Sequence, residues 1–185
     1  MALKISISGA AGSGKSTLIK AIVEKYGMET TDVGKVFFRD RAIARGITVA
    51  EYDKIVETEP EEDRAIEAEV KKFVENSPKD IIVGRRMGFH IMPDIVSIWL
   101  DVSPEEGAKR VFLDDRGKQE KKYASVEEAL SYNQSRMERL RERLLHVYGV
   151  DFTDKANYTK VIDTTGKTFE QNFEQLDQYI QSLRK

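Results

Sequence analysis

The chain has no cysteine and only two histidines, His90 and His146. This excludes a disulfide frame, a thiol nucleophile and a Cys-ligated zinc, so any metal must be held by oxygen. No stretch approaches the roughly 18 apolar residues of a membrane helix, and no basic-then-apolar leader opens the chain. A cytoplasmic protein that engages no membrane is expected. A net charge of −2 gives no overall electrostatic case for a nucleic-acid partner. Repeats, low-complexity tracts and Pro- or Gly-rich linkers are also missing, and 185 residues suffice for one domain with a real core. The expectation is a single domain over 1–185, acting as a monomer.

What is present is unevenly charged. Residues 50–75 carry ten acids against four bases, whereas residues 109–143 carry ten bases against seven acids. A polyanion should therefore meet the second region. Leu3, Ile5 and Ile7 alternate with polar neighbours, and "STLIKAIVEKYG" then repeats apolar residues at helical spacing up to Gly27. A strand, a glycine loop and a helix result. "TTDVG" (30–34) reads as a short second strand, followed by a helix ending near Gly46. "TVAE" (48–51) is a capping box, and Pro60 opens a longer helix to about Asn76. "DIIVG" (80–84) and "DIVSIWLDV" (94–102) are β-branched and apolar, as parallel strands buried on both faces should be. "SPEE" (103–106) and "SVEE" (125–128) cap two further helices, with polar loop between, and a strand at 160–165 precedes a last helix. Strands separated by helices imply an α/β fold with a parallel sheet and helices on both faces.

Gly9-x4-Gly14-Lys15-Ser16 matches the phosphate-binding loop, and it lies where that loop must, between strand and helix. The loop spans Gly9, Ala10, Ala11, Gly12, Ser13, Gly14, Lys15, Ser16 and Thr17. Its glycines let successive backbone N–H groups face one concavity, and the helix start adds partial positive charge. Lys15 should reach the β- and γ-phosphates of a nucleoside triphosphate, Ser16 should place its hydroxyl on Mg2+, and Thr17 should touch the α-phosphate side.

The group that accepts the phosphoryl is harder to read. No Asn-Lys-x-Asp segment of a GTPase is present, and "DIIVGRR" ends in Val83-Gly84, where a motor ATPase would carry an acid. Arginine is abundant instead, and guanidinium forks suit transferring phosphates. Arg85 and Arg86 stand out because they follow a buried strand, at the edge where open α/β sheets bind ligands. Arginines on the long helix are more often ion-pair partners. Trp99 reads as core, His90 as a surface or capping residue, and one of Phe37 and Phe38 as core with the other able to stack on a base.

The order of several segments resembles the nucleoside monophosphate kinases, most of all the archaeal-type cytidylate kinases: the Gly9–Thr17 loop, "DVGKVFFRDRAIARG", "TVAEYDKIVETEPEEDRAIE", "GRRMG", "IWLDVSPEEGAKRV", "SVEEAL" and "VYGVDF". The resemblance implies a P-loop fold with a central five-stranded parallel sheet, a helical region at about 34–78 that binds the acceptor nucleotide, and an arginine lid at about 114–124. It implies phosphoryl transfer from ATP to CMP or dCMP, with AMP, UMP, a metabolite hydroxyl or simple nucleotide binding as alternatives. Gly34, Arg39, Asp63 and Arg85 would then surround the acceptor, with both arginines on its phosphate. Lys15, Arg110, Arg116, Arg136 and Arg143 would act on the reacting phosphates. Val83 stands where that family has an acid, Asp101 being another oxygen donor nearby, and the lid is lengthened by Lys118, Lys121 and Lys122.

Overall fold

The computed structural model describes residues 2–31, 38–114 and 122–184, apart from the side chains of 49, 50 and 53. Four strands make one parallel sheet: β1 (Lys4–Gly9), β2 (Ile81–Gly84), β3 (Val96–Asp101) and β4 (Lys160–Asp163), in the spatial order β2-β1-β3-β4. Burial on both faces explains their apolar composition. In β2, Ile81 and Val83 join one core while Ile82 joins the other; in β3, Trp99 opposes Ile98 and Leu100 in the same way.

One face is covered by α1 (Lys15–Tyr26) and the C-terminal helix α8 (Phe169–Leu183), through Leu18, Ile22, Leu176 and Ile180. Asp177 of α8 accepts from Lys25 Nζ at 2.7 Å and Tyr26 Oη at 2.6 Å, tying the two helices together. The other face carries two clusters. Helices α2 (Asp40–Ala44), α3 (Val49–Thr58) and α4 (Pro60–Asn76) pack Ala42, Tyr52, Val56, Ile66, Val70 and Val74 on Ile81 and Val83. Beside them, α5 (Gly88–Ile91), α6 (Pro104–Leu113) and α7 (Val126–Tyr148) follow in the chain, and Leu144 of α7 packs with Met87, Trp99, Phe152 and Tyr158. Trp99 is core, as read from the sequence.

The helix starts follow their sequence signals. Thr48 and Glu51 form the reciprocal capping box, and the Ser103 and Ser125 hydroxyls accept from the backbone N–H of Glu106 and Glu128. The five-stranded sheet is corrected to four strands among the described residues. At 30 and 31, the described part of the expected second strand at 30–34, no strand forms; one parallel bridge lies just before them, Glu29 with Ile81, in which Glu29 N donates to Asp80 O at 2.8 Å and Glu29 O accepts from Ile82 N at 2.9 Å. Pairing at this sheet edge is one-sided, and the segment lacks the apolar alternation that would extend it. Residues 32–34 of that segment lie outside the described residues.

Candidate active site

β1 runs straight into the phosphate loop, whose geometry depends on glycine at three places. Gly9, Gly12 and Gly14 have φ of 142°, 78° and 84°, values that side chains disfavour. At two of them space is also missing: a Cβ on Gly9 would lie 2.3 Å from Leu100 O, and one on Gly12 would lie 2.2 Å from Gly107 O. The loop is thus wedged between the end of β3 and the first turn of α6. Lys15 curls back over it, donating to Gly9 O at 2.6 Å and Ala10 O at 2.9 Å. Ser16 and Thr17 stand exposed in the first turn of α1, which has no acidic residue and no side-chain cap. Backbone donors and the helix dipole there favour an anion.

Arg110 belongs to this end of the sheet. Its guanidinium donates to Thr164 O at 2.7 Å, to Lys167 O and Gly12 O at 3.3 Å each, and to Glu106 Oε1 at 2.8 Å. It therefore braces the loop against the turn that follows β4. Arg136 lies on the exposed side of α7.

A second group gathers beyond the end of β2. Arg85 follows Gly84, and its backbone is fixed by the Ser8 hydroxyl, which donates to Arg85 O at 2.9 Å and Arg86 O at 2.6 Å. Tyr158 Oη adds a bond to Arg86 O at 2.7 Å. Asp63 and Glu67 are one helical turn apart on α4, so both face the same way. Glu67 Oε1 accepts from Arg85 Nε at 2.7 Å and also from Arg85 Nη2. Asp63, only 1% exposed, meets Arg143 of α7 with Nε and Oδ2 3.1 Å apart. Phe38, Asp63, Glu67, Arg85, Arg86 and Arg143 line one narrow recess. Burial pushes the Asp63 carboxyl above its usual range, against the opposing pull of Arg143 and Arg85.

Asp63 and Arg85, matched to the acceptor by resemblance, thus meet in one place. Arg143, matched to the reacting phosphates, sits with them, whereas Lys15 and Arg110 are at the phosphate loop. Arg39 is half-buried just before α2; Gly34, Phe37, Arg116, Lys118 and Lys121 lie outside the described residues. Glu67 escaped the sequence reading, although its i, i+4 spacing from Asp63 was the available signal. Not every acid of 50–75 faces the recess. Glu62 accepts from Tyr52 Oη at 2.7 Å and Arg41 at 3.1 Å, joining α2, α3 and α4.

The oxygen donors for a metal are few. Val83 is fully buried in the apolar cluster. Both Asp101 oxygens are engaged, one by the Trp99 indole at 3.1 Å and one by Lys155 at 2.5 Å. Among the described residues no cluster of three acidic or histidine side chains could hold an ion. Ser16 and Thr17 remain as exposed hydroxyls at the loop, and Ser16 is the one that the motif assigns to the metal. One hydroxyl suits Mg2+, which keeps several waters and takes further oxygens from substrate phosphates.

Comparison with known proteins agrees with this geometry. Residues 8–129 match the AAA domain family. The chain is 35% identical over 164 residues to the cytidylate kinase of Thermococcus kodakarensis, covering 88% of this chain and 79% of that one. It is 34% identical over 169 residues to the S-adenosylmethionine-dependent nucleotide dehydratase of Lacinutrix mariniflava, but although 91% of this chain takes part it spans only 34% of that longer protein. The shikimate kinase structure from Bacteroides thetaiotaomicron superposes with a TM-score of 0.66 over 97% of this chain and 98% of the other, at 15% identity, a likeness of fold alone. The chain belongs to the AAA domain family of P-loop proteins and is homologous to archaeal cytidylate kinases over most of its length.

Proposed function

We propose that the protein transfers the γ-phosphoryl group of ATP to a nucleoside monophosphate, CMP or dCMP, giving ADP and the (d)CDP. The observation that carries this reading is the recess set of Asp63 and Arg85, both buried, with the partly buried Glu67 and Arg143, at the same carboxyl edge of the sheet as the phosphate loop. A kinase for a hydroxyl acceptor needs a base, whereas a monophosphate arrives already anionic and needs cationic positioning. The cytidylate kinases that this chain resembles support the choice of base.

In the reaction, an acceptor phosphate oxygen bonds to the γ-phosphorus as the bond to the β-bridging oxygen breaks, and ADP leaves with those electrons. The loop N–H groups and Lys15 hold the β- and γ-phosphates, with Thr17 toward the α-phosphate. Ser16 would hold Mg2+, which when bound would supply positive charge against the negative charge of the donor phosphates. Arg85, whose Nε edge is held by Glu67, presents its remaining Nη1 to the acceptor phosphate, with Arg39 and Gly34 beside it. Asp63 addresses the base or sugar. Arg116 and Arg136 come from the lid and the helix behind it, and Arg143 joins the acceptor group. Spreading positive charge over the transferring group is the main source of rate.

The acceptor assignment is tested by Arg85→Lys, which keeps the charge and loses the planar fork. KM for CMP should rise at least about tenfold while KM for ATP changes less than about twofold. An equal rise for both substrates would remove Arg85 from the acceptor site.

A further inference from the structure

Five buried side-chain atoms have no hydrogen-bond partner among the described residues: Asp63 Oδ2, Asn133 Nδ2, Arg143 Nε, Tyr148 Oη and Asn172 Oδ1. Two belong to residues lining the recess, and a third adjoins it. Leu140, Arg143 and Leu144 line the recess from α7, and Tyr148 continues their stripe one turn after Leu144. Asp63 and Arg143 approach to 3.1 Å, yet Nε and Oδ2 are not aligned as a hydrogen bond. Polar atoms buried without partners are costly, and native proteins keep few of them. Their concentration here points to a ligand that supplies the missing partners.

We propose that Tyr148 is a specificity residue for the acceptor base: its hydroxyl, Arg143 Nε and Asp63 Oδ2 offer two donors and one acceptor to the amino-bearing edge of cytosine. This inference rests on the reading of the recess as an acceptor-nucleotide site. Cytosine presents one donor, its 4-amino group, and two acceptors, N3 and O2. The amino group bonds to Asp63, and the two acceptors take the Arg143 and Tyr148 protons. Uracil turns a carbonyl toward Asp63 and an N–H toward a donor, so it leaves these buried groups unpaired or opposed. Burial, with the nearby Glu67 and Asp63 carboxylates, pushes the Tyr148 phenol up to about 12, so it keeps its proton and donates at neutral pH. Because the recess is narrow, entry of a base has to part Arg143 from Asp63, a step eased by their unaligned contact.

Tyr148→Phe tests this, since it removes only the hydroxyl and preserves the ring that packs edge-on against His90 at 5.5 Å. The measurements are kcat/KM for CMP and for UMP, KM for ATP, calorimetric binding of CMP, and Tm. The expected result is an approximately tenfold fall in kcat/KM for CMP with a fall below about twofold for UMP. CMP binding should weaken in parallel, with KM for ATP unchanged and Tm not lowered, because an unpaired buried hydroxyl has been removed. An unchanged CMP-to-UMP ratio in an active enzyme overturns the role of Tyr148 and leaves the kinase reading standing. Equal losses on both substrates with a lowered Tm would make Tyr148 a packing residue and also overturn it. A wild-type protein that neither binds nor phosphorylates any nucleoside monophosphate overturns the acceptor site and this inference together.

Discussion

Lys15 is a cation in the first turn of a helix, where the dipole disfavours it, and it bonds to the carbonyls of Gly9 and Ala10. Such a placement makes sense when the loop is to receive phosphate. Lys15→Ala should lower turnover by roughly 10²-fold or more, about 3 kcal/mol of transition-state stabilisation, with the circular dichroism spectrum unchanged. Turnover within tenfold of the wild type would dislodge the donor site from this loop. The motif made Lys15 legible in the sequence. Glu67 and Tyr148 were not, because what distinguishes them is burial beside partners that are 18 residues away, as Arg85 is from Glu67, or farther. Arg110 is singled out by resemblance alone, and its bonds to Thr164 and Lys167 depend on how α6 meets the turn after β4.

At the scale of elements, the phosphate loop and α6 touch backbone to backbone. A Cβ on Gly107 would lie 2.7 Å from Ala11 O and 3.3 Å from Val102 Cγ1, so Gly107→Ala must move α6 away from the loop. Tm should fall, by about 1–3 kcal/mol of stability, and KM for ATP should rise several-fold while KM for the acceptor holds. Kinetics and a melting curve identical to the wild type would mean that the close approach is unimportant. Gly107 sits in "SPEEGAKRV", but its contact with Ala11 joins residues 96 positions apart, which no local pattern marks. Helix starts were legible because capping is local chemistry: Thr48, Ser103 and Ser125 each accept the expected backbone N–H. Residues 30 and 31 form no strand because edge pairing is set by the neighbour, here Ile81 and Ile82, rather than by the segment itself.

In the whole molecule, the sheet places the phosphate loop after β1 and Arg85 after β2 along one edge, with β1 and β2 paired in parallel register. Their adjacency fits a reaction that joins two phosphates. The uneven charge seen in the sequence divides into separate tasks. Some of the acids on α4 hold α2 and α3 in place, while Asp63 and Glu67 engage the arginines of the recess. The proposed function makes a monophosphate nucleotide the acceptor. Its most direct test is steady-state kcat/KM, with ATP and Mg2+, across CMP, dCMP, UMP, AMP, shikimate and gluconate, with the product identified by phosphorus NMR. The expected result is acceptor-dependent formation of ADP with CDP or dCDP as the favoured products, and negligible turnover on the hydroxyl acceptors. ATP hydrolysis indifferent to every nucleotide, or faster transfer to a hydroxyl than to any monophosphate, would contradict the claim.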